Sequence, residues 1–193
     1  EQSPGQVVDQ DDVPGTGRAV AQAIDALPAD FAGDVLVLSG DVPLLDNETL
    51  SALLSEHRAA HAAATLLSAQ LGNPTGYGRV IRDTDGGVAR IVEQKDASAE
   101  ELTVTEVNAG VYVFRAAALR AHIGGLTTDN AQGEMYLTDM VALLRGAGES
   151  VAARTISDSS LVEGVNDRVQ LAAAAARLNA RVIRHWQLAG VTV

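Results

Sequence analysis

A divalent cation, a phosphate or a sugar hydroxyl is held by carboxylates, amides and close-approaching backbone, and this chain gathers such groups at a few places. Asp41 closes the run Gly33-Asp-Val-Leu-Val-Leu-Ser-Gly-Asp41, at the carboxyl end of an apolar segment where open α/β sheets place their ligands. Followed by Val42-Pro43-Leu44-Leu45 rather than by a helix, its carboxylate suits a hard cation such as Mg²⁺, and equally suits a turn or a cap. Gln10-Asp-Asp-Val-Pro-Gly-Thr16 is a turn opening a helix. Its free amides could receive an anion or a base edge, or simply join two elements. Asn73-Pro-Thr-Gly-Tyr-Gly78 places two glycines around a tyrosine, permitting close approach of backbone to a ligand or making a surface turn.

Further along, Glu93-Gln-Lys-Asp96 ends an apolar segment and contains Lys95, the sole lysine, which suits a salt bridge as well as a functional role. Asn108-Ala-Gly110 opens another apolar run, where a polar side chain must find a partner or a ligand. Asn166 stands just ahead of a long alanine-rich segment, in the place where Asn most often caps a helix. His57, His61, His122 and His185 have no metal-ligand partners in spacing and read as structural. Neither a G-x-S-x-G nor a Ser-His-Asp arrangement supports a hydrolase.

The elements that must position these groups follow from apolar periodicity. Thr16 to Leu27 has helical spacing through Val20, Ala23, Ile24 and Leu27, ahead of Pro28. The run before Asp41 reads as a strand buried on both faces of a parallel sheet. Asp46 is the expected N-cap of a helix reaching about His61, and Ala62 to Ala69 is a second buried strand. This order predicts an α/β sheet with helices on its faces. Arg79 to Arg82 and Val88 to Val92 flank Asp83-Thr-Asp-Gly-Gly87, a β-hairpin whose glycines supply positive φ. Val107 to Phe114 is a strand, Ala116 to Ile123 and Tyr136 to Leu144 are helices, Val151 to Ile156 is a strand, and Asp167 to about His185 is a long helix.

With 193 residues and 47% hydrophobic content the chain can bury one core. A net charge of −11 disfavours a nucleic-acid partner, and a polyphosphate ligand would need a cation beside it. The absence of cysteine excludes thiolate catalysis, disulfides and cysteine-based metal sites. No segment has the length of a membrane span and residues 1 to 15 lack a signal-peptide layout, so no membrane partner and a cytoplasmic location are expected. Lacking an initial Met, the chain reads as one entered midway.

Taken in order, Gln10 to Thr16, Ser39 to Leu45, Pro74 to Arg79, Ile91 to Asp96, Glu106 to Val111, Asn130 to Glu134, Tyr136 to Asp139 and Glu163 to Asn166 resemble the uridyltransferase domain of the bacterial bifunctional N-acetylglucosamine-1-phosphate uridyltransferase / glucosamine-1-phosphate acetyltransferase. The resemblance implies a Rossmann-like nucleotide-diphospho-sugar transferase fold, with a mixed, mostly parallel sheet and an inserted β-hairpin. It also implies synthesis of UDP-N-acetylglucosamine and pyrophosphate from UTP and N-acetylglucosamine 1-phosphate. By this resemblance Asp41 and Asn166 would match the family's Mg²⁺ ligands and would carry the catalytic role. Gln10, Gly15 and Thr16 match its nucleotide-binding residues, and Gly78, Glu93, Asn108, Tyr136 and Thr138 its sugar-binding residues, with Tyr136 and Thr138 on the acetamido side.

The family's basic, glycine-rich phosphate loop has no counterpart in this chain. The resemblance therefore implies a fragment with little activity of its own: residues 1–185 from the uridyltransferase domain and residues 186–193 from the start of a left-handed β-helix. In the intact protein that β-helix would acetylate glucosamine 1-phosphate with acetyl-CoA and hold a homotrimer. Two other readings remain at this point, a sugar-1-phosphate nucleotidyltransferase of different base or hexose, and a non-catalytic sugar-nucleotide binding module.

Overall fold

The computed structural model describes residues 5–193. Strand β1 (Asp34–Val37) follows helix α1 (Thr16–Asp25), and α2 (Asn47–Ala59) leads into β2 (Ala64–Gln70). The hairpin β3 (Arg79–Arg82) and β4 (Val88–Val92) precedes β5 (Glu106–Arg115), α3 (Ala116–His122), α4 (Asp139–Gly146), β6 (Val151–Ile156) and α5 (Arg168–Leu188). The hairpin forms where expected, its turn closed by Gly86 at φ 81° and by Asp83 Oδ1 accepting the Gly87 amide at 2.8 Å. Asp46 caps α2 as its type predicts, accepting from the Thr49 amide at 2.8 Å.

The sheet runs β4-β3-β5-β2-β6, with β1 also paired to β5. Period-2 alternation divides the core between its two faces. Leu66, Tyr112 and Phe114 pack on one side with α1, α3 and α4, while Leu67, Val111 and Val113 pack on the other with Leu53 of α2. Each such side chain removed from water contributes about 1.5–3 kcal/mol, so β2 and β5 form the rigid centre.

Two expectations need correction. The sheet is mixed, but "mostly parallel" holds only for strand directions: β1, β2, β3 and β6 run the same way, whereas only β2–β6 is hydrogen-bonded in parallel. The cause is β5, which runs opposite and lies between them. Nor is β1 buried on both faces. It pairs antiparallel with β5, and among the described residues its other edge has no partner, which leaves Leu36 38% and Leu38 48% exposed.

Smaller differences concern helix ends. Tyr136 precedes its helix, which begins at Asp139. The last helix continues through Leu188, ending where Gly190 adopts φ 88°, so the expected boundary at residue 185 falls inside an element. Among the described residues no helix is long and apolar enough to cross a membrane.

Candidate functional site

Beyond the carboxyl end of β1 the chain turns outward and places Asp41 opposite the segment leading into α5. The Val165 amide donates to the Asp41 carbonyl at 2.8 Å, tying the two loops together. Asn166 was expected to cap α5, but Asp167 takes that role: its carboxylate accepts from the Gln170 amide at 2.8 Å while Gln170 Oε1 accepts from the Asp167 amide at 3.2 Å. The Asp-x-x-Gln spacing carried this signal in the sequence. Because the cap lies one residue later, the Asn166 side chain is left for other use.

Asp41 and Asn166 converge. A Cβ built on Gly164 would lie 3.4 Å from Asp41 Oδ2 and 3.8 Å from Asn166 Nδ2, so the glycine leaves open the space between carboxylate and amide. Among the described residues neither side chain makes a hydrogen bond or an ion pair. A carboxylate and an amide carbonyl are hard oxygen donors that fit Mg²⁺, and no group of three or more His, Asp or Glu that could hold a metal occurs among the described residues. The remaining coordination would fall to water or to substrate oxygens, as Mg²⁺ commonly accepts.

Two cavities meet at Asp41, of about 420 and 510 Å³, and share Ser39, Asp41, Glu93, Asn108 and Gly110. The first also takes in Gly78, Gly164 and Asn166. The second takes in Thr16, Thr138 and an apolar wall of Val20, Val37 and Leu137. Gly110, at φ 70°, passes so close to Ser39 that a Cβ there would meet Oγ at 2.8 Å, which fixes the floor both cavities share.

Glu93 leaves the hairpin pointing into this floor and accepts the Thr138 hydroxyl at 3.0 Å. Burial raises its pKa above the ordinary value, with Asp139, Asp96 and Glu134 pushing the same way against the Thr138 hydrogen bond. The polar Asn108 finds its partner in Tyr112, donating to the phenol oxygen at 2.7 Å. Gly78 lies against Glu93, whose carboxylate oxygens would sit 3.3 and 3.4 Å from a Cβ at that position.

The sequence-predicted residues are not all brought together. Asp41, Asn166, Gly78, Glu93 and Asn108 line the first cavity, and Thr16 and Thr138 the second. Gly15 lines neither. At φ 116° it is pressed against Met135, whose carbonyl would stand 2.3 Å from a Cβ, and Gly17 and Pro14 hydrogen-bond Met135 at 2.8 Å each. Gln10 folds back on this turn, donating to the carbonyls of Val13 at 2.8 Å and Gly15 at 3.2 Å. Tyr136 faces a separate cavity of about 230 Å³ on the far side of Glu93, beside Asp96 and Asp139. Sequence reasoning missed Gly164 and Ser39, whose part in the site comes from packing alone.

A family model for nucleotidyl transferases matches residues 3–167. The chain is 60% identical over 187 residues to bifunctional protein GlmU of Leifsonia xyli subsp. xyli and 61% identical over 187 residues to that of Clavibacter sepedonicus, covering 97% of this chain and 38% of each relative. The GlmU protein of Mycobacterium bovis is 54% identical over 184 residues. The motif resemblance is thus borne out, over a chain that spans 38% of the length of the first two relatives. Among solved structures, one described as a glucose-1-phosphate thymidylyltransferase from Bacillus anthracis superposes with a TM-score of 0.61 at 20% identity, covering 86% of this chain and 62% of that one, which shows a shared fold.

Proposed function

We propose, from the premise that this chain belongs to the nucleotidyl transferase family, that it is the part of a uridyltransferase that binds sugar phosphate and metal and that makes UDP-N-acetylglucosamine and pyrophosphate from UTP and N-acetylglucosamine 1-phosphate, in the cytoplasm, for cell-envelope precursors. The observation that carries this reading is the convergence of the Asp41 carboxylate and the Asn166 amide on the space left by Gly164, at the junction of two cavities.

In this reading Asp41 and Asn166 hold Mg²⁺, which when bound supplies charge neutralisation between two anionic reactants. One carboxylate and one neutral amide leave most of the ion's charge for the phosphates. Glu93 accepts a sugar hydroxyl, and Asn108 and the Gly78 backbone complete that wall. Thr138 steadies Glu93 from the acetamido side, and Tyr136 supports the same segment from behind rather than by contact. Thr16, with Gly15 and Gln10 shaping its turn, faces the nucleotide in the second cavity. A sugar-phosphate oxygen attacks the α-phosphorus in line and pyrophosphate leaves, so orientation is the protein's main contribution and no side-chain nucleophile is needed. Residues 1–185 serve this reaction. A β-helix following α5 would add the acetyl transfer and the homotrimer contacts suggested by the family resemblance.

The test is pyrophosphate release by the full-length protein with UTP, N-acetylglucosamine 1-phosphate and Mg²⁺, with dTTP and GTP, and glucose 1-phosphate, as competitors. Preference for UTP and the acetamido sugar is expected. Preference for another base or hexose would reassign the substrates, and no release with any pair would contradict catalysis.

A further inference from the structure

Two arginines on strand β3 stand in opposite electrostatic situations. Arg82 is half-buried and meets the Glu106 carboxylate through two hydrogen bonds of 2.7 Å. Arg79 is 2% exposed and, among the described residues, makes no ion pair. Its guanidinium donates to the Tyr77 carbonyl and, at 3.2 Å, to Gln94 Oε1, while its Nε has no partner. Gln94 Oε1 also accepts the Gly76 amide. Gly76 and Tyr77 line the first cavity, so the charge sits one hydrogen bond behind the cavity wall.

A buried cation without an anion is expensive, because desolvation costs several kcal/mol per ion and carbonyl dipoles recover only part of it. Holding the Asn73–Gly78 loop needs neutral donors alone, as an amide side chain could provide. The charge has a physical purpose if an anion arrives in front of that wall. The chain carries −11 overall, so an anionic ligand meets a net repulsion that a nearby buried cation offsets.

We propose that Arg79 is a specificity-determining residue that acts by its buried charge, favouring the phosphorylated over the neutral sugar in the first cavity without touching either. This rests on the sugar-phosphate reading above. In a medium of low effective dielectric a unit charge about 10 Å away alters the affinity of an anion by about tenfold and that of a neutral ligand scarcely.

The experiment measures, in the full-length protein, the KM for N-acetylglucosamine 1-phosphate and the inhibition constant of N-acetylglucosamine. Arg79→Met should raise the former about tenfold and leave the latter within about twofold, with Arg79→Lys restoring most of the difference. Gln94→Glu, which keeps both acceptor contacts while setting an anion beside Arg79, should reproduce the selective loss and serves if Arg79→Met does not fold. Equal weakening of both ligands would mean that Arg79 only positions the loop, and no change in either would mean that its charge is unused; each overturns the inference. Wild-type protein that uses no sugar phosphate at all would sink the functional reading and this inference with it.

Discussion

Strand β1 begins and leads out with the same residue type, and the two aspartates face opposite tasks. At its start, Asp34 accepts Arg58 Nε at 2.8 Å and stands 3.5 Å from His57 Nε2, while His57 Nδ1 meets the Thr65 hydroxyl at 2.9 Å and Arg115 pairs with Glu149 at 2.8 Å. Each of these side chains has a protein partner. Beyond the other end, Asp41 and Asn166 converge with no side-chain hydrogen bond among the described residues. The contrast teaches that satisfied polar clusters fix an architecture, whereas polar groups left open at one place announce a ligand.

The comparison breaks first at Asp41. Asp41→Ala should lower kcat of the full-length protein by about 10²–10³-fold while its melting temperature stays unchanged. A loss of stability with kcat retained would make Asp41 another Asp34. At the opposite end, His57→Ala should cost about 2 kcal/mol by denaturant unfolding, since Thr65 and Asp34 lose a partner at a site 2% exposed, and should leave kcat and KM alone. Burial holds the His57 pKa below its ordinary value, with Asp34 opposing. The unfolded chain therefore binds the proton more readily, so this contribution to stability is complete above the unfolded pKa and is lost as pH falls through the folded one. Thermal melts between pH 8 and pH 5, about the range histidine spans, should show a steeper decline for wild type than for His57→Gln.

Much of this contrast was legible beforehand. β2 and β5 announced themselves because they are apolar on both faces, the hairpin because Asp-Gly-Gly permits its turn, and Asp41 because it ends an apolar run. The surroundings of β1 were not legible: its Val-Leu-Val-Leu pattern is compatible with burial on both faces, and only the antiparallel neighbour β5 shows otherwise. At Asn166 the local pattern favours a cap and only the family resemblance points to a ligand role, although the Asp-x-x-Gln spacing to Gln170 already marks Asp167 as the cap. Gly164, Arg79 and the far-side position of Tyr136 depend on distant packing, which no local pattern encodes.

Smaller changes sharpen the account. Gly164→Ala puts a methyl between Asp41 and Asn166 at ordinary contact distance, so the fold should tolerate it while Mg²⁺-dependent turnover falls about tenfold and the Mg²⁺ requirement rises. An unaltered Mg²⁺ titration would place the ion elsewhere. Smallest is Glu93→Gln, expected to raise the sugar-phosphate KM about fivefold, the value of one charged hydrogen bond partly retained. Because burial raises the Glu93 pKa, the wild-type KM should climb as pH falls through that raised value, earlier than an exposed glutamate would produce. The variant's KM profile should be flat across the same range.

The central claim concerns where one metal ion sits, and diffraction can answer that. Crystals of the full-length protein grown with Mn²⁺ and UDP-N-acetylglucosamine should give an anomalous peak bridging the Asp41 carboxylate, the Asn166 amide oxygen and the nucleotide phosphates. A peak at another group of ligands, with these two side chains turned away from it, would contradict the account.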